Sequence, residues 1–141
     1  MSAVRLLPWP VHEAVDYLLG LFFVLAPFIF GLVDTIAFPV FVAAGVVLLV
    51  SALLTPGPLA VAEILPVRVH AILDYILAFF LILAPFVFSF GEIPEALSIS
   101  VFAGVGVIVM SLVTRFPVTA RTAATSTPED TSGASSSHSA P

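Results

Sequence analysis

The feature that most constrains this chain is a set of four long apolar segments, at residues 11–33, 36–54, 69–90 and 96–114. Between Asp16 and Asp34, for example, no residue is charged. That stretch of roughly 17 residues covers about 26 Å of helix, which is most of a hydrocarbon core about 30 Å thick. Charged residues make up only 9% of the chain, whereas soluble domains carry about 25%. The sequence therefore predicts four transmembrane helices.

The four segments form two copies of one unit, because many residues recur 58 positions later in the chain. The recurring residues are Leu7-Pro8, Val11-His12, Asp16-Tyr17 and Leu25-Ala26-Pro27-Phe28, which return as Leu65-Pro66, Val69-His70, Asp74-Tyr75 and Leu83-Ala84-Pro85-Phe86. Only short turns separate the two segments of each copy, so each copy must be an antiparallel hairpin. We expect an all-α integral membrane four-helix bundle of two tandem two-helix hairpin repeats, related by a pseudo-twofold axis along the membrane normal.

The basic residues predict the orientation of the bundle. Arg5, Arg68, Arg115 and Arg121 all fall on one side of the four predicted spans. The opposite turns carry only the acidic residues Asp34, Glu92 and Glu95. The positive-inside rule therefore places both termini in the cytoplasm, and the protein in the cytoplasmic membrane of the cell.

The predicted organisation is a cytoplasmic N-terminal segment (1–10), hairpin repeat 1 (11–54), a cytoplasmic linker (55–68), hairpin repeat 2 (69–115) and a cytoplasmic tail (116–141). The first apolar segment is expected to remain in the mature protein, because its sister segment is internal and cannot be a signal peptide. The tail is rich in Ser, Thr and Pro, offers no apolar face and is expected to be disordered and dispensable for folding.

The hairpin pattern resembles the SPW repeat family of small prokaryotic membrane proteins, in which the first helix of each two-helix repeat carries a Ser-Pro-Trp motif. The corresponding tripeptides here are Ala26-Pro27-Phe28 and Ala84-Pro85-Phe86. The proline and the aromatic character of the third residue match, whereas Ser and Trp do not. The resemblance implies two transmembrane helices per repeat and brings no activity with it.

The polar residues with the clearest pattern are two His–Asp pairs, His12 with Asp16 and His70 with Asp74. Within each pair the residues are four apart, so they share one helix face near the cytoplasmic end. Twofold symmetry predicts that the two pairs form one polar cluster. Such a cluster could orient helices, relay protons, or bind a divalent metal with two imidazoles and two carboxylates. We favour the structural role and assign no metal, because no recognised ligand motif accompanies the pairs.

Prolines and small residues indicate how the helices are shaped and packed. Pro27 and Pro85 are predicted to lie deep in the first and third helices and to kink them. Gly45 and Ala52, and equally Gly104 and Ser111, are seven apart and form a small-residue stripe on the second and fourth helices. Such stripes permit close helix packing, either inside the bundle or in a homo-oligomer. Trp9, Tyr17 and Tyr75 are expected to anchor the bundle at the membrane interface.

These features favour a structural or interaction protein whose partner is the lipid bilayer, and the sequence leaves a homo-oligomer open as a further arrangement. The alternative is a small channel or transporter with a His/Asp proton or ion relay at its cytoplasmic end. An enzyme is not expected, because there is no Ser/His/Asp arrangement, no phosphate-binding glycine loop and no Cys. No cofactor is predicted, and the absence of a basic stripe argues against nucleic-acid binding.

Overall fold

The computed structural model describes residues 6–116 and contains four α-helices within them. Their bounds are Trp9–Ile29 (α1), Ala37–Leu54 (α2), Val67–Val87 (α3) and Pro94–Val113 (α4). All four are long and apolar enough to cross a membrane. The all-α, four-span architecture expected from the sequence is confirmed, and the protein is a multi-pass membrane protein. Arg5, Arg121 and the tail from 117 onward lie outside the described residues.

The first helix of each repeat ends in the same way, at the position of the SPW-like motif. Gly31 and Ser89 both have a left-handed backbone, with φ of 66° and 57°. The next residue donates its N–H back to the proline carbonyl, from Leu32 to Pro27 and from Phe90 to Pro85, at 2.7 and 3.0 Å. This is the hydrogen-bond pattern of a Schellman cap. The motif therefore terminates a helix.

That placement corrects the expectation for Pro27 and Pro85, which lie in the last turn of α1 and α3 and not deep inside them. The apolar stretch continues past the helix end into the turn, which is why hydropathy placed the helix boundary too late. Proline acts on the turn before it, where its missing N–H leaves the carbonyl of the residue four positions earlier without that bond, so the kink of α1 and α3 stays a prediction. Its carbonyl is still available to the cap, because proline lacks only the N–H donor.

The small-residue stripes face the neighbouring helix of the same hairpin. A Cβ on Gly45 would lie 2.6 Å from the Gly20 carbonyl oxygen, and one on Gly104 would lie 2.7 Å from the Ala78 carbonyl oxygen. Ala52 and Ser111, further along the stripes, are also buried. Of the two uses predicted for these residues, close packing inside the bundle is therefore the one that the fold shows.

The centre of the bundle is apolar. Phe23, Phe41 and Phe90 are fully buried and meet edge to face, with ring centroids 5.3 Å apart for Phe23 and Phe41 and 6.0 Å apart for Phe41 and Phe90. Large apolar side chains also cover the outside, such as Phe102, which is 77% exposed. An apolar exterior of this kind fits a lipid environment, because the transfer of apolar surface from water into lipid is favourable.

The two repeats close on each other at the end where α1 and α3 begin. The Leu7 N–H donates to the Val113 carbonyl at 3.0 Å, and the Leu65 N–H donates to the Leu54 carbonyl at 2.8 Å. The start of α1 is thus bonded to the end of α4, just as the start of α3 is bonded to the end of α2. This end of the bundle, called the cluster end below, brings all four helices together.

Candidate functional site

The four predicted polar residues meet in one buried cluster at the cluster end. His12, Asp16, His70 and Asp74 are each at most 1% exposed. The shortest contacts cross between the repeats, with Nε2 of His12 lying 3.0 Å from Oδ2 of Asp74 and Nε2 of His70 lying 3.0 Å from Oδ2 of Asp16. Contacts within each helix are longer, at 3.4 and 3.5 Å. The structure therefore brings all four residues together as a crossed pair of pairs.

Two threonines, which the sequence analysis did not single out, hold the other nitrogen of each imidazole. Nδ1 of His12 lies 2.8 Å from Oγ1 of Thr114, and Nδ1 of His70 lies 3.0 Å from Oγ1 of Thr55. Thr55 directly follows α2, and Thr114 directly follows α4. Because α2 and α4 both end at the cluster end, each hydroxyl lies beside the cluster. Both bonds again cross between the hairpins, from α1 to the end of α4 and from α3 to the end of α2.

The hydroxyl protons fix the protonation of Nδ1 in both histidines. Thr55 Oγ1 donates to the Ser51 carbonyl and Thr114 Oγ1 donates to the Met110 carbonyl, each at 2.6 Å. A hydroxyl has one proton, so each threonine must accept at its histidine contact. Both Nδ1 atoms therefore carry a proton, and both Nε2 atoms point towards the carboxylates. Each 3.0 Å contact between Nε2 and Oδ2 then holds one shared proton.

The two carboxylates differ in the rest of their surroundings. Ser111 Oγ donates to Oδ2 of Asp74 at 3.3 Å. The equivalent residue in repeat 1 is Ala52, which has no hydroxyl, and Oδ1 of Asp16 is buried without a hydrogen-bond partner. A buried oxygen of this kind costs free energy in an apolar environment. Asp16 therefore has fewer hydrogen bonds than Asp74, and its Oδ1 is without a partner.

Aromatic rings cover the cluster on its outer side. Trp9 stacks on the His12 ring with centroids 5.4 Å apart and an interplanar angle of 16°, and it meets His70 edge-on at 5.5 Å. Phe116 contacts both Trp9 and His12. Trp9 is only 9% exposed and its Nε1–H donates to the Pro56 carbonyl. Trp9, which the sequence analysis expected only to anchor the bundle at the membrane interface, thus packs its ring on the imidazoles and bonds the loop with its polar atom.

Glu13 and Tyr17 attach the loop between α2 and α3 to α1. Oε1 of Glu13 accepts the Leu59 N–H at 3.1 Å, and the Tyr17 hydroxyl donates to the Leu59 carbonyl at 3.0 Å. Oε2 of Glu13 is buried without a partner. A Cβ on Gly57 would lie 2.6 Å from that same oxygen, so the glycine lets the loop approach the carboxylate. Repeat 2 has Ala71 in place of Glu13, and this loop attachment is therefore not repeated.

Comparison with known families agrees with this architecture. The family model of the SPW repeat domain matches residues 8–114, which include both hairpins and the whole cluster. No curated protein and no solved structure matches the chain. The chain therefore belongs to the SPW repeat family, as the Ala-Pro-Phe tripeptides suggested.

Proposed function

We propose that this SPW repeat protein is a non-enzymatic structural or interaction protein of the membrane, in which the His–Asp cluster clamps the two hairpins together. The observation that carries the proposal is the crossing of the shortest bonds, from His12 to Asp74 and from His70 to Asp16, both 3.0 Å. Separating the hairpins would leave polar groups unpaired in an apolar environment, which costs several kcal/mol per group. The cluster thus favours one arrangement of the repeats.

The interior beyond the cluster favours the clamp and argues against a transport pathway. Phe23, Phe41, Leu48 and Leu81 are fully buried next to it along the bundle. Within residues 6–116, Ser100 is the one buried polar side chain outside the cluster end, and it donates to the Leu81 carbonyl. Proton or ion transport requires polar groups or water at successive depths. An apolar centre of this kind offers no such series.

Burial of the cluster supports a non-enzymatic role. The imidazoles and carboxylates lie beneath Trp9 and Phe116, and none of the four is more than 1% exposed. Two surface grooves lie along α2 and α3, and apart from Ser51 their lining side chains are apolar. An acid–base catalyst must reach its substrate within hydrogen-bond distance. Among residues 6–116, the four side chains that such catalysis would need are covered by their neighbours.

The second candidate is a small channel or transporter with a His/Asp relay at its cytoplasmic end. One observation favours it, because the shared proton at each contact between Nε2 and Oδ2 can move between imidazole and carboxylate. Such a relay would work only if water or another polar group continued the path across the bundle.

Reconstitution separates the two candidates. Wild-type protein and Asp16→Asn are placed in proteoliposomes with an internal pH dye, and their unfolding is measured in detergent. The clamp predicts proton flux equal to that of empty vesicles for both proteins, and a loss of roughly 1–2 kcal/mol of unfolding free energy in the variant. Glu95→Gln, at an exposed acid of the opposite end, is the control and should change neither quantity. Flux in the wild type that disappears in Asp16→Asn without loss of stability would establish the relay.

A further inference from the structure

We propose that His12, Asp16, His70 and Asp74 form a four-coordinate binding site for a divalent transition metal ion of the Zn²⁺ type. One ligand atom from each residue lies within 4.8 Å of the other three, and all four residues are buried. The inference goes beyond the clamp, because it names a ligand for the cluster, and it relies on the same folded arrangement.

The distances between the donor atoms fit a metal centre. The four distances from Nε2 of a histidine to Oδ2 of an aspartate are 3.0, 3.0, 3.4 and 3.5 Å. In a tetrahedral site with bonds of about 2.0–2.2 Å, neighbouring ligand atoms lie about 3.3–3.6 Å apart. The two shorter distances need to lengthen by only a few tenths of an ångström. These four distances are therefore close to those of a tetrahedral site, and one ligand atom of each residue lies within 4.8 Å of the other three.

The orientation of the imidazoles is the second, independent observation. A histidine that binds a metal through one nitrogen commonly donates its other N–H to a hydrogen-bond acceptor, which fixes the tautomer and the ring. Thr114 and Thr55 provide this acceptor for His12 and His70, because each hydroxyl has given its own proton to a carbonyl. In the neutral form of each ring the lone pair of Nε2 then points at the carboxylates. Both rings are set as ligands by groups outside the cluster.

Charge balance favours a doubly charged ion. Asp16 and Asp74 bring two negative charges into a site at most 1% exposed, and neutral imidazoles bring none. A single divalent ion neutralises the site in place of the two shared protons. Asp16 also has a buried Oδ1 without a hydrogen-bond partner, on the same carboxylate as the ligand Oδ2. A positive ion beside this carboxylate would offset part of the free energy that the unpaired oxygen costs.

The donor set selects the kind of metal. Two imidazole nitrogens and two carboxylate oxygens in a four-coordinate arrangement suit Zn²⁺ and its first-row neighbours. Ca²⁺ takes six to eight oxygen ligands and Mg²⁺ requires octahedral oxygen coordination. Because all four positions are filled by protein atoms, the site has the closed form of a structural metal centre. The ion would join the two repeats through a ligand pair from each.

The first test uses the unaltered full-length protein. The protein is purified in detergent, stripped with a chelator and titrated with CoCl₂, because four-coordinate Co²⁺ absorbs visible light far more strongly than six-coordinate Co²⁺. We expect one Co²⁺ per chain with the intense spectrum, and its loss when ZnCl₂ is added in equal amount. A weak six-coordinate spectrum, or no saturable binding, would overturn the inference. Because this test uses only the wild-type protein, its result does not depend on whether a variant folds.

The second test assigns the ligands. Asp16→Asn and His70→Gln are expected to lower the Zn²⁺ affinity by at least about 100-fold, and Thr55→Val, which removes only the positioning acceptor, by about 10-fold. Glu13→Gln is the matched control, because Glu13 is a buried carboxylate that directly follows His12 in the chain but bonds the loop at Leu59 and not the cluster. It should change the affinity less than about 2-fold. Equal losses in Glu13→Gln and Asp16→Asn would show non-specific attraction of cations and would refute the assignment.

The outcomes also distinguish the metal site from the clamp. If the wild type binds no metal but Asp16→Asn destabilises the metal-free protein, the clamp stands and the metal site is wrong. If the wild type binds Co²⁺ in the four-coordinate form while Asp16→Asn leaves the stability of the metal-free protein unchanged, the site stands and the proposed function of the cluster is wrong.

Discussion

His12 Nε2 lies 3.0 Å from Asp74 Oδ2 in the other repeat, and 3.4 Å from Asp16 Oδ2 one turn along its own helix. His70 has the mirrored preference, with 3.0 Å to Asp16 and 3.5 Å to Asp74. The spacing of four residues thus puts each pair on one face, while the closer bond in every case joins the two repeats. Most of the interaction energy of the cluster should therefore lie between hairpins.

This geometry predicts different coupling energies for the two kinds of pair. In a double-mutant cycle, His12→Gln combined with Asp74→Asn should show a coupling of roughly 1–2 kcal/mol in the free energy of unfolding, since the two side chains share a buried hydrogen bond. The measurement is reversible unfolding of detergent-solubilised protein, at one fixed metal condition. The matched cycle pairs His12→Gln with Asp16→Asn and should give a smaller coupling. A larger coupling within the helix would contradict the crossed arrangement.

Ser89 provides a prediction about the helix cap. Its φ of 57° is a left-handed conformation that costs a residue with a side chain roughly 1–2 kcal/mol, and the equivalent residue of repeat 1 is Gly31. Ser89→Gly should therefore stabilise the protein by about 0.5–1 kcal/mol, after allowing for the greater freedom of glycine in the unfolded chain. Gly31→Ser should destabilise it by a similar amount. Thermal unfolding of both variants checks the pair, and opposite signs are the required result.

Gly45 tests the close approach of α1 and α2. A Cβ there would lie 2.6 Å from the Gly20 carbonyl oxygen and 2.8 Å from Cγ2 of Val24, so Gly45→Ala forces the two helices apart. The expected cost is about 1–3 kcal/mol of unfolding free energy. Gly106→Ala is the control, since no atom lies within 4 Å of its added Cβ and alanine is the better helix former. Equal stability of the two variants would show that the stripe is not a packing surface.

The overall fold could be predicted from sequence because two strong signals agree. Apolar segments of membrane-spanning length give the number of helices, and the offset of 58 residues gives their grouping into hairpins. The same offset brought the His–Asp pairs into view as equivalent residues. Hydropathy was less informative about where α1 and α3 end, because the cap residues Phe30 and Phe88 are as apolar as the helices themselves.

Other parts of the site could not be reached by that reasoning. Thr55 and Thr114 are 59 residues apart, the offset that also relates Gly45 to Gly104, so the repeat held a signal for them. That signal was weak, because threonine at a helix end is common and its partner depends on how the hairpins close. Trp9 has no aromatic equivalent in repeat 2, where Val67 stands. Its stacking on His12 follows only from the three-dimensional arrangement.

The orientation of the bundle in the membrane is the last prediction, and the chain is well suited to testing it because it contains no Cys. Glu63 lies in the loop at the cluster end and Glu92 in the turn at the opposite end, and both are exposed. The basic residues, including Arg68 beside the first of these loops, predict that the cluster end faces the cytoplasm. The two sites can be compared as single-cysteine variants, Glu63→Cys and Glu92→Cys.

A membrane-impermeant maleimide applied to intact cells should label Glu92→Cys and leave Glu63→Cys unlabelled until the membrane is opened. The reason is that moving the arginines of the cluster end across the membrane is opposed during insertion, whereas Glu92 and Glu95 contribute little to orientation. Both variants replace an exposed acid by the same residue, so a difference in labelling reports the side of the membrane and not reactivity, provided both react after the membrane is opened. The reverse pattern would place the cluster outside the cytoplasm. The proposed site would then bind divalent metal from outside the cytoplasm and not from within it.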